Sequence, residues 1–427
     1  MKKLKLVMIG NGMAGVRTLE ELLKVSPELY DITIFGAEPH PNYNRILLSP
    51  VLAGEQGFED IVLNDLAWYR ERNICLMLNR RVVQIDRARR RVITEDGCEA
   101  SYDRLLIATG STPFVLPIPG NTLNGVVGYR DIADTRAMME TARLYKHAVV
   151  IGGGLLGLEA ANGLKARGME VTVVHIADWL MDRQLDRTAS QLLQQSLEER
   201  GLKFVLSRQT AALLDNGEGR VGAVRFKDGE TIAADLVVMA AGIRPNAELA
   251  ERAGLPCNRG ILVNDTLQTY DPRIYAVGEC ASHRGTTYGL VAPLFEQARV
   301  CANHLAMIGF SRYLGSVTST KLKITGIELF STGDFIGGEG TEAIRFCDPI
   351  SGVYKKLVIK DDVLVGACLY GDTRDANWYF RQVRENQNVS AIRDQLMFGE
   401  EAVALQTQPY RTTRARQPSP SLAAVGR

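Results

Sequence analysis

The chain has 427 residues, 46% of them hydrophobic and 23% charged, with a formal net charge of +1. This length exceeds what a single hydrophobic core usually supports, so we expect two or three domains of a globular protein. A net charge near zero gives no electrostatic footprint for nucleic acid or an acidic membrane surface, and no apolar run approaches the roughly 20 residues of a membrane-spanning helix.

The first predicted elements are a strand, a glycine turn and a helix. An apolar run over residues 4–9 leads into the turn, and apolar residues at helical spacing follow it. Glycine permits a sharp reversal and a close approach of the backbone to a pyrophosphate, while the first N–H groups of a helix attract that anion. The turn consists of Gly10, Asn11, Gly12, Met13, Ala14 and Gly15.

A second strand is expected over residues 31–35, and Glu38 follows it about 20 residues beyond the turn. Its carboxylate is either an acceptor for the hydroxyls of an adenosine ribose or a solvated loop acid. Arg45 stands between a loop and a helix start. It is either a surface charge or, in a flavoprotein, a contact of the flavin diphosphate or ring edge.

Residues 82–86, which include Val83, and residues 91–94 flank a polar turn and predict a hairpin. A strand from residue 102 then runs into Ala108, Thr109 and Gly110. Small residues at a strand end allow a cofactor to lie close to the backbone.

The same plan returns in the middle of the chain. A strand over 148–151 precedes a second glycine turn at 152–157 and a helix, and a strand over 235–239 runs into small residues and Gly242. Two such turns predict two dinucleotides, a flavin reduced by a nicotinamide. The partner strand 171–174 ends at His175, where NADH enzymes usually present an acid to the ribose 2′-hydroxyl. The sequence therefore leaves NADH and NADPH both open.

Further strands are expected over residues 260–263 and 275–280, and the latter segment contains Gly278 and Glu279. A helix is expected to begin at Pro293, because proline is favoured at the first helical position. Residues 313–405 alternate strand patterns at 321–324, 353–359 and 363–369 with a late helix over 376–386, which predicts a third, mixed domain. From residue 406 the sequence is rich in Gln, Thr, Arg, Pro and Ser, and we interpret it as a disordered tail.

The two glycine turns, the Ala-Thr-Gly ending at 108–110 and the segment 275–279 together resemble the FAD- and NAD-linked reductases with two dinucleotide domains. Residues 10–15, 43–45, 152–159 and 320–323 are similar to the N-terminal half of the large subunit of NAD(P)H nitrite reductase. They are also similar to the flavoprotein electron-transfer subunit of assimilatory nitrate reductase. Rubredoxin and ferredoxin reductases share the plan more distantly. The resemblance covers roughly residues 1–400.

This resemblance implies an α/β fold with two Rossmann-like dinucleotide-binding domains, in which an inserted NAD domain splits the FAD domain, and a C-terminal α+β domain. The FAD-binding domain would comprise residues 1–112 and 243–312, and the NAD(P)H-binding domain residues 113–242. Residues 313–405 would form a C-terminal α+β interface domain, followed by the tail at 406–427.

The resemblance also implies how FAD is held. Arg45 would lie beside the flavin ring or diphosphate, and Glu279 stands where relatives usually have Asp near the ribityl chain. The helix near Pro293 would point its positive end at the flavin edge, where reduction builds negative charge. The expected FAD residues are Gly10, Asn11, Gly12, Met13, Ala14, Gly15, Glu38, Arg45, Val83, Ala108, Thr109, Gly110, Gly278, Glu279 and Pro293.

For the nicotinamide cofactor, the resemblance implies that Glu159 lies near the carboxamide and the flavin. Glu159 and Arg45 are therefore the expected catalytic residues. We expect Glu159 in the first turn of the helix after the second glycine turn, and the alternative for it is an acid favoured there by the helix dipole. The expected NAD(P)H residues are Gly152, Gly154, Leu155, Leu156, Gly157, Glu159, His175 and Gly242. The family favours NADH, with NADPH also plausible.

The implied function is an FAD-dependent oxidoreductase that takes hydride from NAD(P)H onto FAD and passes electrons to a nitrite or nitrate assimilation reductase. A rubredoxin or ferredoxin reductase is the alternative. A non-catalytic flavin or nucleotide sensor is disfavoured, because one glycine turn would suffice for it. The nitrite reductase subunit continues into cluster-binding and sirohaem segments that this chain lacks, so we expect it to feed a partner unless it is a fragment. A homodimer stays open.

The seven cysteines are scattered and no two form a CxxC pair, so no metal or iron–sulfur site is expected. Their odd number and wide spacing fit reduced thiols in the cytoplasm. The loop over residues 43–50 contains no cysteine, which argues against a peroxidase or a disulfide reductase.

Overall fold

A computed structural model of the chain describes residues 3–407. In chain order the strands are β1 Leu4–Ile9, β2 Tyr30–Phe35, β3 Asn42–Tyr43, β4 Val62–Asn64, β5 Cys75–Met77, β6 Val82–Asp86, β7 Arg91–Thr94, β8 Glu99–Ser101, β9 Arg104–Ile107, β10 Ser111–Pro113, β11 Val126–Val127, β12 His147–Ile151, β13 Glu170–Val174, β14 Lys203–Val205, β15 Thr210–Asp215, β16 Val221–Phe226, β17 Thr231–Ala233, β18 Leu236–Met239, β19 Ile243–Pro245, β20 Ile261–Val263, β21 Ile274–Ala276, β22 Ala281–His283, β23 Ser319–Thr320, β24 Leu329–Gly333, β25 Glu342–Asp348, β26 Val353–Lys360 and β27 Val363–Tyr370. The α-helices are α1 Met13–Val25, α2 Leu48–Ala53, α3 Leu66–Glu71, α4 Ile132–Leu144, α5 Leu155–Ala166, α6 Arg187–Glu199, α7 Glu248–Arg252, α8 Val291–Leu305, α9 Ala376–Glu385 and α10 Glu400–Thr407. Short 3₁₀ helices span Arg45–Leu47, Glu59–Ile61, Ser390–Ile392 and Leu396–Phe398.

The first glycine turn follows β1 in a five-stranded parallel sheet, which we call the first parallel sheet, with the order β21-β9-β1-β2-β5. Helices α1 and α8 pack together, and Leu19 and Leu305 join the strand residues Leu6 and Met8 in one core. Strand β21 of this sheet comes after the second glycine turn in the sequence. The first parallel sheet is therefore formed by segments from both sides of the inserted region, as the resemblance implies.

The second glycine turn follows β12 in another five-stranded sheet, the second parallel sheet, with the order β11-β18-β12-β13-β14. Helix α5 connects β12 to β13, which gives the β-α-β unit that a dinucleotide site needs. Both parallel sheets and the mixed C-terminal region confirm the predicted fold class. The hairpin predicted over 82–94 is also confirmed as the antiparallel pair β6 and β7.

The chain crosses between the two parallel sheets twice, and the two crossings lie side by side. Strands β10 and β19 pair antiparallel, with Ser111 opposite Pro245. Just outside this pair, Asn246 Nδ2 donates to the Thr109 carbonyl oxygen at 2.8 Å, and Thr109 Oγ1 donates to the Asn246 carbonyl oxygen at 2.7 Å. These segments fall where the domain boundaries 112/113 and 242/243 were predicted, and the boundaries themselves stay predictions.

A third sheet, the C-terminal sheet, is antiparallel with the order β23-β24-β27-β26-β25. Its tyrosines hold helix α6, which follows the second glycine turn. The Tyr354 hydroxyl donates to Asp186 Oδ2 at 2.7 Å, and the Tyr370 hydroxyl donates to Ser196 Oγ at 2.8 Å. Both tyrosines belong to the core that also contains Leu193 of α6. The C-terminal sheet is therefore attached to α6 both by a shared hydrophobic core and by hydrogen bonds.

Three predicted boundaries or elements need correction. Helix α8 begins at Val291, so Pro293 is its third residue and not its first. Proline is still tolerated there, because N–H groups of the first helical turn have no intrahelical partner. Residues 321–324 form no strand. Their alternation arises because Leu322 and Ile324 are buried in the core shared with α5 and α6, without a ladder partner for the backbone.

The predicted tail starts at residue 406, whereas α10 continues to Thr407. Residues 408–427, which make up the rest of that prediction, lie outside the described residues. Within residues 3–407, no helix combines the length and the apolar character needed to cross a membrane. All seven cysteines are free thiols.

Candidate functional site

The first glycine turn is packed so tightly against the end of β9 that two positions admit no side chain. Gly10 has a φ of +103°, and a Cβ on it would lie 2.2 Å from the carbonyl oxygen of Ala108. A Cβ on Gly15 would lie 2.9 Å from the Cβ of Ala108. The structure thus brings together two segments that were predicted separately as parts of one site.

Gly12 is glycine for a different reason, since nothing lies within 4 Å of a Cβ built on it. It is the N-cap of α1 and offers no side-chain cap, so the start of the helix at Met13 stays open. Beside it, Nδ2 of Asn11 is buried and has no partner within residues 3–407, while Oδ1 of Asn11 accepts from the Tyr69 hydroxyl at 2.9 Å. An open cradle, an uncapped helix start and an unused buried donor fit a bound diphosphate.

Glu38 and Arg45, which the sequence predicted as separate contacts, form an ion pair. Arg45 also donates to the Tyr43 hydroxyl at 2.8 Å and to the carbonyl oxygen of Arg130 at 3.2 Å. The Tyr43 hydroxyl donates to Glu38 Oε2 at 2.8 Å. Burial raises the pKa of Tyr43, so its hydroxyl keeps the proton that it donates. The cluster fixes both charged groups at the edge of the first site.

Arg130 is a site residue that the sequence analysis missed. Its guanidinium forms an ion pair with Glu279, and its Nε donates to the carbonyl oxygen of Ser111 at 3.2 Å. The Ser111 hydroxyl donates to Glu279 Oε2 at 2.8 Å, so the buried carboxylate has two donors. The sequence signal that could have revealed Arg130 is its place directly before Asp131, the N-cap of α4.

Helix α8 meets this cluster at Gly278, whose N–H donates to Gln297 Oε1 at 3.0 Å. Nε2 of Gln297 is fully buried and has no partner in the described part of the chain. This second unused donor belongs to the side chain that binds Gly278, the sequence neighbour of Glu279, and it fits a polar cofactor chain. Pro293 is buried in the first turn of the same helix, and Gly110 would place a Cβ 3.9 Å from Glu279 Oε2.

Val83 lies on β6 and is half-buried. Its neighbour Val82 belongs to the core that contains Phe35 of β2, so the hairpin packs on the first parallel sheet beside the strand that precedes Glu38. A cofactor contact by Val83 stays a prediction.

The second glycine turn repeats the geometry of the first. Gly152 has a φ of +127°, and a Cβ on it would lie 2.3 Å from the carbonyl oxygen of Ala240. A Cβ on Gly157 would lie 1.9 Å from the carbonyl oxygen of Gly152. Gly154, the N-cap of α5, again has nothing within 4 Å of a built Cβ. The second turn therefore has the same open cradle and fits a second diphosphate.

A cavity of about 1040 Å³ opens in front of the second turn. It reaches across the paired crossings to Glu279, so one cavity joins the residues predicted for the two cofactors. Tyr129 and Tyr288 also line it. The predicted site residues in its lining are Gly152, Gly154, Leu155, Leu156, His175, Gly242 and Glu279.

His175 was predicted to face the adenosine ribose, but its ring is held beneath the second turn. Nδ1 of His175 accepts from the Gly153 N–H at 3.1 Å, and Nε2 lies 3.1 Å from Asp182 Oδ1. A Cβ on Gly153 would lie 2.8 Å from Cγ of the imidazole, so the ring fills the space beside the glycine. Both ring nitrogens are therefore engaged by the protein.

Glu159 is buried and is not among the residues that line the cavity, and both of its carboxylate oxygens have partners. Oε2 accepts from the Ser49 hydroxyl at 2.6 Å, and Oε1 accepts from the Lys323 N–H at 2.8 Å. Tyr129 donates to Ser49 Oγ at 3.2 Å, so a chain of hydroxyls connects the cavity lining to Glu159. Burial raises the pKa of Glu159, while the two hydrogen bonds oppose that rise.

Helix α5 begins at Leu155, so Glu159 is its fifth residue and lies beyond the first turn. The prediction that it lies within the first turn was wrong, because the helix starts before the last glycine. The alternative explanation as an acid favoured by the helix dipole is weakened, since that effect fades after the first turn. A direct contact between Glu159 and the nicotinamide stays a prediction.

Comparison with known proteins agrees with this geometry. The family described as pyridine nucleotide-disulphide oxidoreductase matches residues 4–304, which include both glycine turns. The family described as rubredoxin NAD+ reductase C-terminal domain matches residues 319–387, which include all five strands of the C-terminal sheet.

Two relatives from Bacillus subtilis (strain 168) are similar over most of this chain. An NAD(P)H nitrite reductase is 54% identical over 390 residues, which are 91% of this chain and 48% of that protein. An assimilatory nitrate reductase electron transfer subunit is 49% identical over 397 residues, which are 93% of this chain and 51% of that protein. The chain thus spans about half the length of these relatives.

Among solved structures, the covalent putidaredoxin reductase–putidaredoxin complex contains a chain with 27% identity and a TM-score of 0.84, and the match covers 95% of this chain and 98% of that one. The two open cradles, the cavity that reaches from the second cradle to Glu279 and these matches agree. The chain belongs to the pyridine nucleotide-disulphide oxidoreductase family.

Proposed function

We propose that this chain oxidises NAD(P)H, with NADH preferred, and delivers the electrons to a reductase of nitrite or nitrate assimilation. The observation that carries the proposal is the cavity lined by both Gly154 and Glu279, because hydride transfer requires the two cofactors to meet. The names of the two Bacillus subtilis relatives support the choice of acceptor.

The residues of the chain supply binding and orientation for this reaction. FAD, when bound, supplies the redox chemistry by accepting hydride from the nicotinamide and releasing electrons to the acceptor. The start of α1 at Gly12 would hold its diphosphate, and Glu38 with Arg45 would bind the groups at that edge of the site. Arg130 and Glu279 would hold the polar chain on the cavity side, where both groups are already in place.

The second turn would hold the NAD(P)H diphosphate at Gly154, with Leu155 and Leu156 forming an apolar wall of the cavity. Tyr129 and Ser49 would orient Glu159 toward the same cavity through their hydroxyls. The domain boundaries given above fit this division of labour, because the paired crossings lie where the two cofactors would meet. We also place the protein in the cytoplasm, in keeping with its seven free thiols.

A rubredoxin or ferredoxin acceptor is the second candidate. The match of residues 319–387 to the rubredoxin reductase C-terminal family favours it, as does the similarity to the reductase of the putidaredoxin complex. The cofactor chemistry would be the same, and the acceptor alone would differ.

The test begins with the purified protein under anaerobic conditions. A yellow protein that NADH bleaches would support the reductase, and a flavin spectrum that NADH leaves unchanged would overturn it. Electron delivery is then compared for three acceptors: the remaining part of a nitrite reductase or its nitrate reductase partner, a rubredoxin and a ferredoxin. Faster reoxidation by the nitrogen-oxide enzyme supports the proposed acceptor, and faster reoxidation by either small protein transfers the assignment to the second candidate. Gel filtration of the same sample reports the oligomeric state.

A further inference from the structure

The end of β13 lacks the carboxylate that ordinarily meets the ribose 2′-hydroxyl of NADH. In dinucleotide-binding β-α-β units this acid stands about 20 residues after the glycine turn, at the end of the second strand. Here that position is His175, and its ring is turned under the turn at Gly153. The imidazole therefore has no free nitrogen for a ribose.

A carboxylate nevertheless reaches this place from another part of the chain. Asp182 lies seven residues after His175, and its Oδ1 is 3.1 Å from Nε2 of the imidazole. Since Nδ1 accepts from the Gly153 N–H, the proton of the neutral ring is on Nε2, and this N–H donates to Asp182. His175 thus connects the Asp182 carboxylate to the glycine turn through one hydrogen bond on each ring nitrogen.

Asp182 also meets the requirements of a ligand contact. It is partly exposed, with 35% of its side chain accessible, and it lines the cavity together with His175 and Gly154. Its second oxygen, Oδ2, has no partner within the described residues and is left for a hydroxyl donor. Its hydrogen bond with His175, which stands at the strand end, and its place in the cavity lining both indicate the adenosine ribose as the group that it would meet.

Two cationic side chains, Arg183 and Arg208, line the same part of the cavity. Unlike Asp182, they would attract a phosphate on the ribose 2′ position. Arg208 is already neutralised by ion pairs with Asp228 and Glu230. Arg183 is exposed, so its charge is screened by solvent and by salt. Asp182 is the charged group that a second side chain, His175, holds in place. We therefore expect its charge to outweigh those of the two arginines at the ribose 2′ position.

We propose that Asp182 selects NADH over NADPH by accepting a hydrogen bond from the ribose 2′-hydroxyl and repelling a 2′-phosphate, with His175 as its positioning residue. This inference rests on the proposed function, because it assumes that the second turn binds a pyridine nucleotide. It assigns the coenzyme selectivity that the residue at the strand end left open.

The test compares two fragments that lack nicotinamide, ADP-ribose and 2′-phospho-ADP-ribose, by calorimetric titration of the FAD-loaded protein. Wild type should bind ADP-ribose more tightly. Asp182→Asn keeps the size, removes the charge and adds a donor, so the ratio of the two dissociation constants should shift toward the phosphorylated fragment by about tenfold or more. Asp178→Asn is the matched control, because Asp178 lies in the same loop and pairs with Arg187 at the surface, outside the cavity lining.

His175→Gln should move the same ratio, whereas a merely structural role would weaken both fragments equally. An unchanged ratio in Asp182→Asn would overturn the role of Asp182 and leave the proposed function intact. A wild-type preference for the phosphorylated fragment would overturn the role of Asp182 together with the NADH preference, and would leave NAD(P)H oxidation itself intact. If wild type bound neither fragment, the proposed function and this inference would fail together. Circular dichroism of each variant shows whether it is folded.

Discussion

Ser49 Oγ donates a 2.6 Å hydrogen bond to Oε2 of Glu159, across 110 positions of the sequence. Ser49 belongs to α2 and Glu159 to α5, and these helices pack closely enough that a Cβ on Gly163 would lie 2.7 Å from Leu52. The second carboxylate oxygen of Glu159 accepts a hydrogen bond from the N–H of Lys323, which lies in the C-terminal part of the chain. One buried carboxylate thus joins three regions that are distant in sequence.

Removing the charge of Glu159 should slow reduction without releasing FAD. Glu159→Gln preserves the side-chain volume, but the Lys323 N–H then meets a neutral amide instead of a carboxylate. This weaker hydrogen bond holds α5 less firmly in its orientation at the cavity. We expect flavin reduction by NADH to slow by about tenfold, which corresponds to about 1.4 kcal/mol. Anaerobic stopped-flow absorbance measures the rate, and the ratio of flavin to protein measures retention of FAD.

Ser49→Ala should act in the same direction, because it leaves the Tyr129 hydroxyl and Glu159 Oε2 without their partner. Ser190→Ala is the matched control, since the buried Ser190 hydroxyl has no partner within residues 3–407. Equal reduction rates in wild type, Glu159→Gln and Ser49→Ala would contradict the importance of this link.

The same carboxylate should make stability depend on pH. Burial raises the pKa of Glu159 in the folded protein, so the folded state binds a proton more tightly than the unfolded state does. The contribution of Glu159 is then fully present below its unfolded pKa of about 4.3 and is lost as pH rises through the higher folded pKa. Relative to Glu159→Gln, wild type should lose stability as pH rises from the unfolded pKa through the higher folded pKa.

Thermal unfolding of the two proteins at several pH values measures this difference, and titration of all other groups cancels in the comparison. A difference that stays constant, or one that grows in favour of wild type with rising pH, would show that the folded pKa is not raised.

The two open cradles allow each cofactor to be removed separately. Gly12 and Gly154 are both N-caps with extended backbone that alanine adopts without strain, and neither has an atom within 4 Å of a built Cβ. The fold should therefore survive, while the new methyl group occupies space that a diphosphate needs. Gly12→Ala should lose FAD, and Gly154→Ala should keep FAD but bind NADH at least about tenfold more weakly.

Each variant serves as the control for the other, with flavin content and NADH titration as the two measurements. Gly157→Ala should behave differently and fail to fold normally, because its Cβ would lie 1.9 Å from a carbonyl oxygen of the turn. Loss of FAD in Gly154→Ala would contradict the assignment of the two turns.

The hold of the C-terminal sheet on α6 can be measured through Tyr354. Its hydroxyl donates to Asp186, the buried N-cap of α6, and a hydrogen bond to a charged group contributes about 1.5–3 kcal/mol. Tyr354→Phe should lower the free energy of unfolding by an amount in that range. Tyr379→Phe removes a hydrogen bond to the neutral carbonyl oxygen of Leu396 and should cost about 0.5–1.5 kcal/mol.

Urea unfolding compares the two variants, and limited proteolysis reports whether Tyr354→Phe loosens the C-terminal region. Equal losses in both variants would mean that the contact with α6 adds nothing beyond an ordinary buried hydroxyl.

The local features of this protein were readable from sequence. The two glycine turns, the strands that lead into them and the small residues after β9 and β18 depend on nearest neighbours, and the structure confirms them. The pairing of Glu38 with Arg45 was not predicted, although the two residues are close in sequence, because it depends on how the intervening loop folds back.

Long-range partners were beyond reach of the sequence patterns. Glu159 finds Ser49 at a separation of 110 residues and Lys323 at 164, and no local pattern marks either contact. The same contact explains why residues 321–324 are not a strand, since the Lys323 N–H goes to Glu159 instead of a ladder partner. Arg130 and Asp182 were missed because their roles come from the side chains that they meet in space.

The paired crossings at β10 and β19 have a mechanical consequence. The two covalent connections are hydrogen-bonded to each other, so bending or twisting one of them requires the other to move with it. A rotation of one nucleotide-binding unit against the other therefore has to move both connections together, and residues of both, Pro113 and Ile243 among them, line the cavity.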